Sequence, residues 1–213
     1  MTNERHFINL EHKVYNVTVP AKTKTAVPRK RRSPITRAEG EQRLINAALE
    51  LVQTKPFSEV GVREIAERAD VNHGFVHTWF GSKNDLLLAV VRKLVNEYGE
   101  KAQNAAPGTL AIDALEPSVT LLVRLIMWLD LEGVDVKDTL GEMPVINALA
   151  VRYQQQNGLS PELARVAAIQ AVSFGIGAAS FARLLDVKDS DEIQQVFVVW
   201  RHLVGLLAKY PPA

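Results

Sequence analysis

Residues 61–88 read GVREIAERADVNHGFVHTWFGSKNDLLL, and this stretch decides the fold. Val62, Ile65, Ala66 and Ala69 fall at the 0, +3, +4 and +7 positions of one helix face, while Arg63, Glu64, Glu67 and Arg68 take the opposite face. Asp70-Val71-Asn72 then forms a tight turn in which Val71 plugs the angle between two helices and Asn72 caps the next one. In that helix, His73 to Phe80, Val76 and Phe80 stand four residues apart and turn inward. His73, Phe75, His77 and Trp79 are left over, too many bulky groups for so small a core. Gly81 breaks the helix, and Ser82 with Asp85 three residues on is a capping box directly before the apolar run Leu86 to Val91.

Upstream, Leu44, Ala47, Ala48 and Leu51 repeat the helical spacing, so Ala38 to Thr54 forms an amphipathic helix that Pro56 ends. Three short helices with a tight turn before the third form a helix-turn-helix, whose exposed third helix suits a duplex groove. Charge supports that assignment. Residues 1–40 hold nine Lys and Arg against three Glu, whereas residues 41–213 hold sixteen against twenty-one acids. The densest basic run, Arg29-Lys30-Arg31-Arg32 between Pro28 and Pro34, suits a non-helical arm attracted to a polyanion, with Arg31 and Arg32 as candidate phosphate or minor-groove contacts. The alternative for the arm is a solvated tail, the reading that residues 1–28 favour because they carry neither sustained periodicity nor caps.

The run RLINAALELV at 43–52 is followed by Phe57-x-x-Val60-x-Val62-x-x-Ile65-Ala66-x-x-Ala69-x-Val71-x-x-Gly74-x-Val76-x-x-x-Phe80-x-Ser82-Lys83-x-x-Leu86-Leu87. From about Glu41 to Val91 the chain resembles the DNA-binding head of the tetracycline-repressor (TetR) family of bacterial transcription regulators. It departs from the usual pattern at Gly61, Asp70, Asn72, His77 and Trp79. The resemblance implies that Asn72 to Phe80 enters the major groove, with His73, Gly74, Phe75 and His77 near base edges and Arg63 reaching a base or the backbone. Trp79 and Lys83 match phosphate-contacting positions. The chemistry agrees: Gly74 permits close backbone approach, Phe75 fits a thymine methyl, and Arg63 can pair with guanine. Lys83 also sits at a helix N-terminus, where free N–H groups favour an anion.

The chain reads as all-α, with a disordered basic arm over 1–36, a helix-turn-helix head over 37–100 and a helical body over 101–213. A boundary falls near Asn104-Ala105-Ala106-Pro107-Gly108. Body helices are expected at Thr109 to Leu115, Pro117 to Leu131, Pro144 to Gln156, Pro161 to Leu185 and Asp191 to Lys209; Ser160-Pro161 is a start and Asn157-Gly158 a stop. Val166 to Phe181 is apolar or small nearly all round, and Ile193, Val196, Phe197, Trp200, Val204 and Leu207 line the last helix. These two helices resemble the family's dimer interface; two core helices of a monomer are the alternative. The resemblance further implies an effector pocket in the body, with Met127, Trp128, Met143, Tyr153, Phe174 and Phe181 as candidate walls and an apolar or aromatic small molecule as ligand.

Other classes find little support. With no cysteine in 213 residues, disulfides, thiolate metal sites and cysteine nucleophiles are absent. His73 and His77 form an i, i+4 pair without a third ligand nearby, and there is no G-x-S-x-G elbow or phosphate-binding glycine loop, so neither a metal, a cofactor nor an enzyme is expected. Arg124, Asp130, Arg152, Arg165, Arg183 and Arg201 interrupt the long apolar stretches, so no membrane span is expected, and the N-terminus lacks a signal-peptide pattern. The expected protein is a cytoplasmic, ligand-responsive homodimeric repressor on a palindromic operator in double-stranded DNA. A helical interaction protein with a degenerate helix-turn-helix is the rival.

Overall fold

The computed structural model describes residues 9–10, 13–14, 35–107, 111–182, 184–187 and 189–210. The chain parts into two compact units, residues 1–33 and 34–213. In the first, two-residue strands β1 (Asn9–Leu10) and β2 (Lys13–Val14) pair antiparallel, a short ladder that the expectation of an all-α chain with a disordered arm did not include. Arg31 and Arg32 lie outside the described residues.

Among its described residues the regular secondary structure of the second unit is all helical. The head comprises α1 (Arg37–Thr54), α2 (Val62–Arg68), α3 (Gly74–Trp79) and the start of α4 (Lys83–Asn104), with a 3-10 turn at Phe57–Glu59. Local chemistry sets these boundaries. The Thr36 hydroxyl caps α1 by accepting from Glu39 N at 3.2 Å, and the Ser82 hydroxyl caps α4 by accepting from Asp85 N at 3.1 Å. Asp70 adopts the left-handed conformation (φ 52°) between α2 and α3, and Val71, 1% exposed, fills the angle between the helices.

Leu44, Ala48, Leu51, Ile65, Val76, Leu86, Leu87 and Val90 are fully buried together, and the same core continues into the body through Leu122, Val123, Leu125 and Leu129. Burying a Leu or Val side chain stabilises by roughly 1.5–3 kcal/mol, so this shared core is what makes α1, α4 and α5 one body. The division expected at residue 100 therefore falls inside α4, which runs on to Asn104.

The body contains α5 (Pro117–Leu131), α6 (Val136–Leu140), α7 (Pro144–Asn157), α8 (Pro161–Phe181) and α9 (Ser190–Lys209). Pro117, Pro144 and Pro161 each open a helix, and Gly158 (φ 68°) ends α7 in the left-handed conformation. No helix forms over Ala111–Leu115: the Asp113 carboxylate accepts from Leu115 N at 2.9 Å, a local turn that competes with helix; Thr109 and Leu110 lie outside the described residues. The short α6 was not expected, and α8 stops at Phe181 rather than Leu185.

Ala164, Ala167 and Ala168 are buried where α8 packs on α7. Gly175 and Gly177 of α8 meet nothing within 4 Å of an added Cβ. Arg152 of α7 is 8% exposed and directs its guanidinium at the Ala105 and Ala106 carbonyls just beyond α4, satisfying acceptors that a helix end leaves open.

Arg165 and Arg183 bound an uncharged stretch of 17 residues that includes most of α8. By length and composition this helix qualifies as a membrane span, with mean hydropathy 1.4 and 33% of the window buried. The interrupter Arg183 lies outside the described residues. Exposed apolar residues recur on both final helices, including Val166, Ile169, Phe174, Ile176, Val199 and Leu203.

Candidate nucleic-acid interface and effector cavity

α3 is fixed from beneath and open above. Val76 is fully buried against α1, α2 and α4, while Asn72, His73, Gly74, Phe75, His77 and Thr78 are exposed. The Asn72 side chain accepts from Gly74 N at 2.9 Å in a turn that leads into the helix, whose N-cap position is His73 rather than the expected Asn72. An added Cβ at Gly74 meets only Asn72 Oδ1 within 4 Å, at 3.4 Å, so internal packing does not require glycine there.

His77 Nδ1 lies 3.1 Å from the Gly81 carbonyl oxygen. A carbonyl only accepts, so in this contact Nδ1 is the donor. Phe75 and Trp79 stack face to face, centroids 4.4 Å apart and 4° from parallel. The six-membered ring of Trp79 rests on Gly40 of α1, where an added Cβ would come within 2.5 Å of Cη2 and Cζ3. This contact, which sequence patterning did not disclose, ties α3 to α1. Arg63 is exposed on α2 and has no hydrogen-bond or ion-pair partner among the described residues.

Lys83 is placed differently from the other candidates. Its ammonium donates to the Phe57 carbonyl at 3.3 Å and sits over the Trp128 ring, 5.4 Å from the centroid. Phe57 meets Trp128 edge-on at 5.8 Å. Lys83, Phe57 and Trp128 therefore form a node between head and body. Residues 37–100 carry eight Lys and Arg against ten acids, so the head itself is net negative and the positive charge belongs to residues 1–36. Among the described residues no group of three or more His, Asp or Glu could hold a metal ion.

The body forms a half-open cavity of about 1080 Å³ between α4, α5, α7, α8 and α9. Met127, Met143 and Tyr153 line it; Trp128, Phe174 and Phe181 do not. Trp128 is turned to Phe57 and Lys83, Phe174 packs edge-on against Phe197 at 5.5 Å, and Phe181 is 52% exposed. Sequence reasoning missed Gln156, Gln194 and Arg201, which also line the cavity. The available signal was spacing: Gln194, Phe197 and Arg201 fall on one face of α9. The Tyr153 hydroxyl accepts from Trp200 Nε1 at 3.2 Å. Burial pushes the Tyr153 phenol above its ordinary pKa, opposed by the Trp200 hydrogen bond and the Arg152 and Arg201 charges.

Residues 44–90 match the family described as bacterial regulatory proteins, tetR family. Over 160 residues the chain is 29% identical to an HTH-type transcriptional repressor of Mycobacterium tuberculosis, covering 73% of this chain and 80% of that one. Its fold is similar to the crystal structure of a transcriptional regulator from Rhodococcus, with TM-score 0.56 and 17% identity over 77% of this chain and 95% of that one. It is also similar to a TetR-family transcriptional regulator from Streptomyces coelicolor, with TM-score 0.51 and 18% identity over 78% and 98% of the two chains.

Proposed function

We propose that the chain, whose residues 44–90 match the tetR family of bacterial regulatory proteins, is a DNA-binding transcriptional regulator of that family, a ligand-responsive homodimeric repressor acting in the cytoplasm. One observation carries the reading: α3 seats Val76 in the core and turns His73, Gly74, Phe75 and His77 outward from a rigid base. Bases are read there, with Arg63 of α2 as a second reader and the Trp79 indole N–H and Lys83 as phosphate donors. For Lys83 this means leaving the Phe57 carbonyl on the DNA complex. Residues 1–36 act as a basic arm, with Arg31 and Arg32 neutralising phosphates; residues 37–100 read DNA, and residues 101–213 bind effector and pair.

A single six-residue helix buries little surface, so two copies are needed for useful affinity. The exposed apolar residues of α8 and α9 support pairing of these helices with those of a second subunit across a two-fold axis. Effector enters the cavity in the body. Ile126 and Met127 line that cavity while Trp128, next on α5, contacts Phe57 and Lys83. A ligand that shifts α5 thereby shifts the head, and coupling of about 1–3 kcal/mol lowers operator affinity about 5- to 150-fold.

One observation favours the rival reading of a helical interaction protein with a degenerate head: the net negative charge of residues 37–100. Fluorescence anisotropy separates the two, using duplex DNA from upstream of the protein's own gene and a scrambled duplex of equal length. The repressor prefers its own sequence by at least about 10³-fold at physiological salt. Equal binding of both duplexes rejects the repressor in favour of the rival.

A further inference from the structure

We infer that the cavity takes an amphipathic monoanion, a single carboxylate held at Arg201 and Tyr153 with a long apolar body laid toward α5 and α8. This rests on the reading of the body as an effector domain and names the chemical class it would recognise. Arg152 and Arg201 are the charged residues in the cavity wall, and no Asp or Glu faces them there. Arg152 is engaged by the Ala105 and Ala106 carbonyls. Arg201 is half-buried and, among the described residues, has neither a hydrogen-bond nor an acidic partner. A cation withdrawn from water beside an apolar wall is costly until an anion meets it.

The surroundings complete a head-group site. The Tyr153 oxygen already accepts from Trp200 Nε1, which leaves its own O–H free to donate. Gln156 and Asn157 follow on the same side of α7 and line the cavity with it. Val123, Ile126 and Met127 of α5 and Val172 and Ile176 of α8 form walls without charge. A volume of about 1080 Å³ lies at the upper end of small-molecule sites, roughly 300–1,000 Å³, and suits an extended tail more than a compact ring. A cationic ligand would lack a carboxylate partner in this wall, and a neutral one would leave Arg201 unmatched.

Isothermal titration of the full-length protein with decanoate, decanol and decyltrimethylammonium tests the assignment, because the tail is shared and only the head group changes. Decanoate is expected to bind at least ten-fold more tightly than the other two. Arg201→Gln should abolish that preference while leaving decanol affinity within about two-fold, and Tyr153→Phe should reduce it partly. Circular dichroism confirms that both variants fold. Equal affinities for the three probes, tighter binding of the cation, no binding at all, or a preference that survives in Arg201→Gln overturns the inference. Operator binding is followed in parallel. Decanoate binding without change in operator affinity rejects the effector reading but leaves the ligand class standing, whereas intact operator binding with no decanoate preference rejects the ligand class alone.

Discussion

Alanine at Gly40 should destabilise this protein, against the usual direction of that change in a helix. In an open helix interior, Gly→Ala stabilises by about 0.5–1 kcal/mol because the unfolded chain loses freedom. Here the new methyl carbon would lie 2.5 Å from Trp79 Cη2 and Cζ3 and 3.1 Å from Ile35 Cδ1. Carbon atoms pack best at about 3.5–4.0 Å, so the indole must retreat by roughly 1 Å or more. Overpacking of this kind costs about 1–3 kcal/mol. Trp79 is also stacked on Phe75 at 4.4 Å, an arrangement worth about 0.5–1.5 kcal/mol beyond the area it buries. Set against the helix gain, the net loss should be about 1–2 kcal/mol, and Phe75 should leave its place on the outer face of α3. Urea unfolding at fixed protein concentration measures the first effect and operator anisotropy the second. The double variant Gly40→Ala with Trp79→Ala provides an internal check, since the added methyl then meets no ring and the two changes should fail to add by about 1 kcal/mol or more. A Gly40→Ala protein more stable than wild type, with unchanged operator affinity, would refute the proposed support of α3 by α1.

Gly74→Ala should do the reverse, leaving urea stability within about 0.5 kcal/mol because its Cβ meets only Asn72 Oδ1 at 3.4 Å, yet weakening operator binding if backbone must approach the duplex; unchanged affinity would place Gly74 away from DNA. Deleting residues 1–33, which spares the Thr36 cap, should weaken binding to all sequences without altering the preferred site. The dependence of log K on log salt should flatten by about 0.9 for each phosphate that the arm no longer neutralises. An altered consensus would mean that the arm reads bases. Trp128→Ala should keep operator binding in the absence of ligand and lose most of the effector response, because Trp128 touches Phe57 and Lys83 but does not line the cavity; a full response in that variant would remove α5 from the coupling.

The head was legible because its boundaries are local. Ser82 caps α4 through its own neighbour Asp85, and Val71 is confined by the helices on either side of one turn. Ser160-Pro161 and Asn157-Gly158 fixed the start of α8 and the end of α7 by the same kind of short-range chemistry. Features that depend on distant partners were not legible. Lys83 follows a carbonyl 26 residues away, and the rotation of α5 that aims Met127 at the cavity aims Trp128 away from it. Aromatic identity therefore selected Phe174 and Phe181 as cavity walls without knowing which way each helix faced, and Arg201 was read as an interruption in an apolar helix. The short α6 spans little more than one turn, too few residues for a periodic signal, and the helix expected before Glu116 gives way to the Asp113 turn.

Selection of binding sites from random duplex DNA tests most directly whether α3 reads bases as half of a symmetric pair. The account predicts an enriched palindrome whose half-sites are centred about 10 bp, or a multiple of that, apart. In the His77→Ala protein, preference should relax at one symmetric pair of positions by about 1–3 kcal/mol. An unstructured pool, or a single asymmetric site that His77→Ala leaves intact, would contradict it.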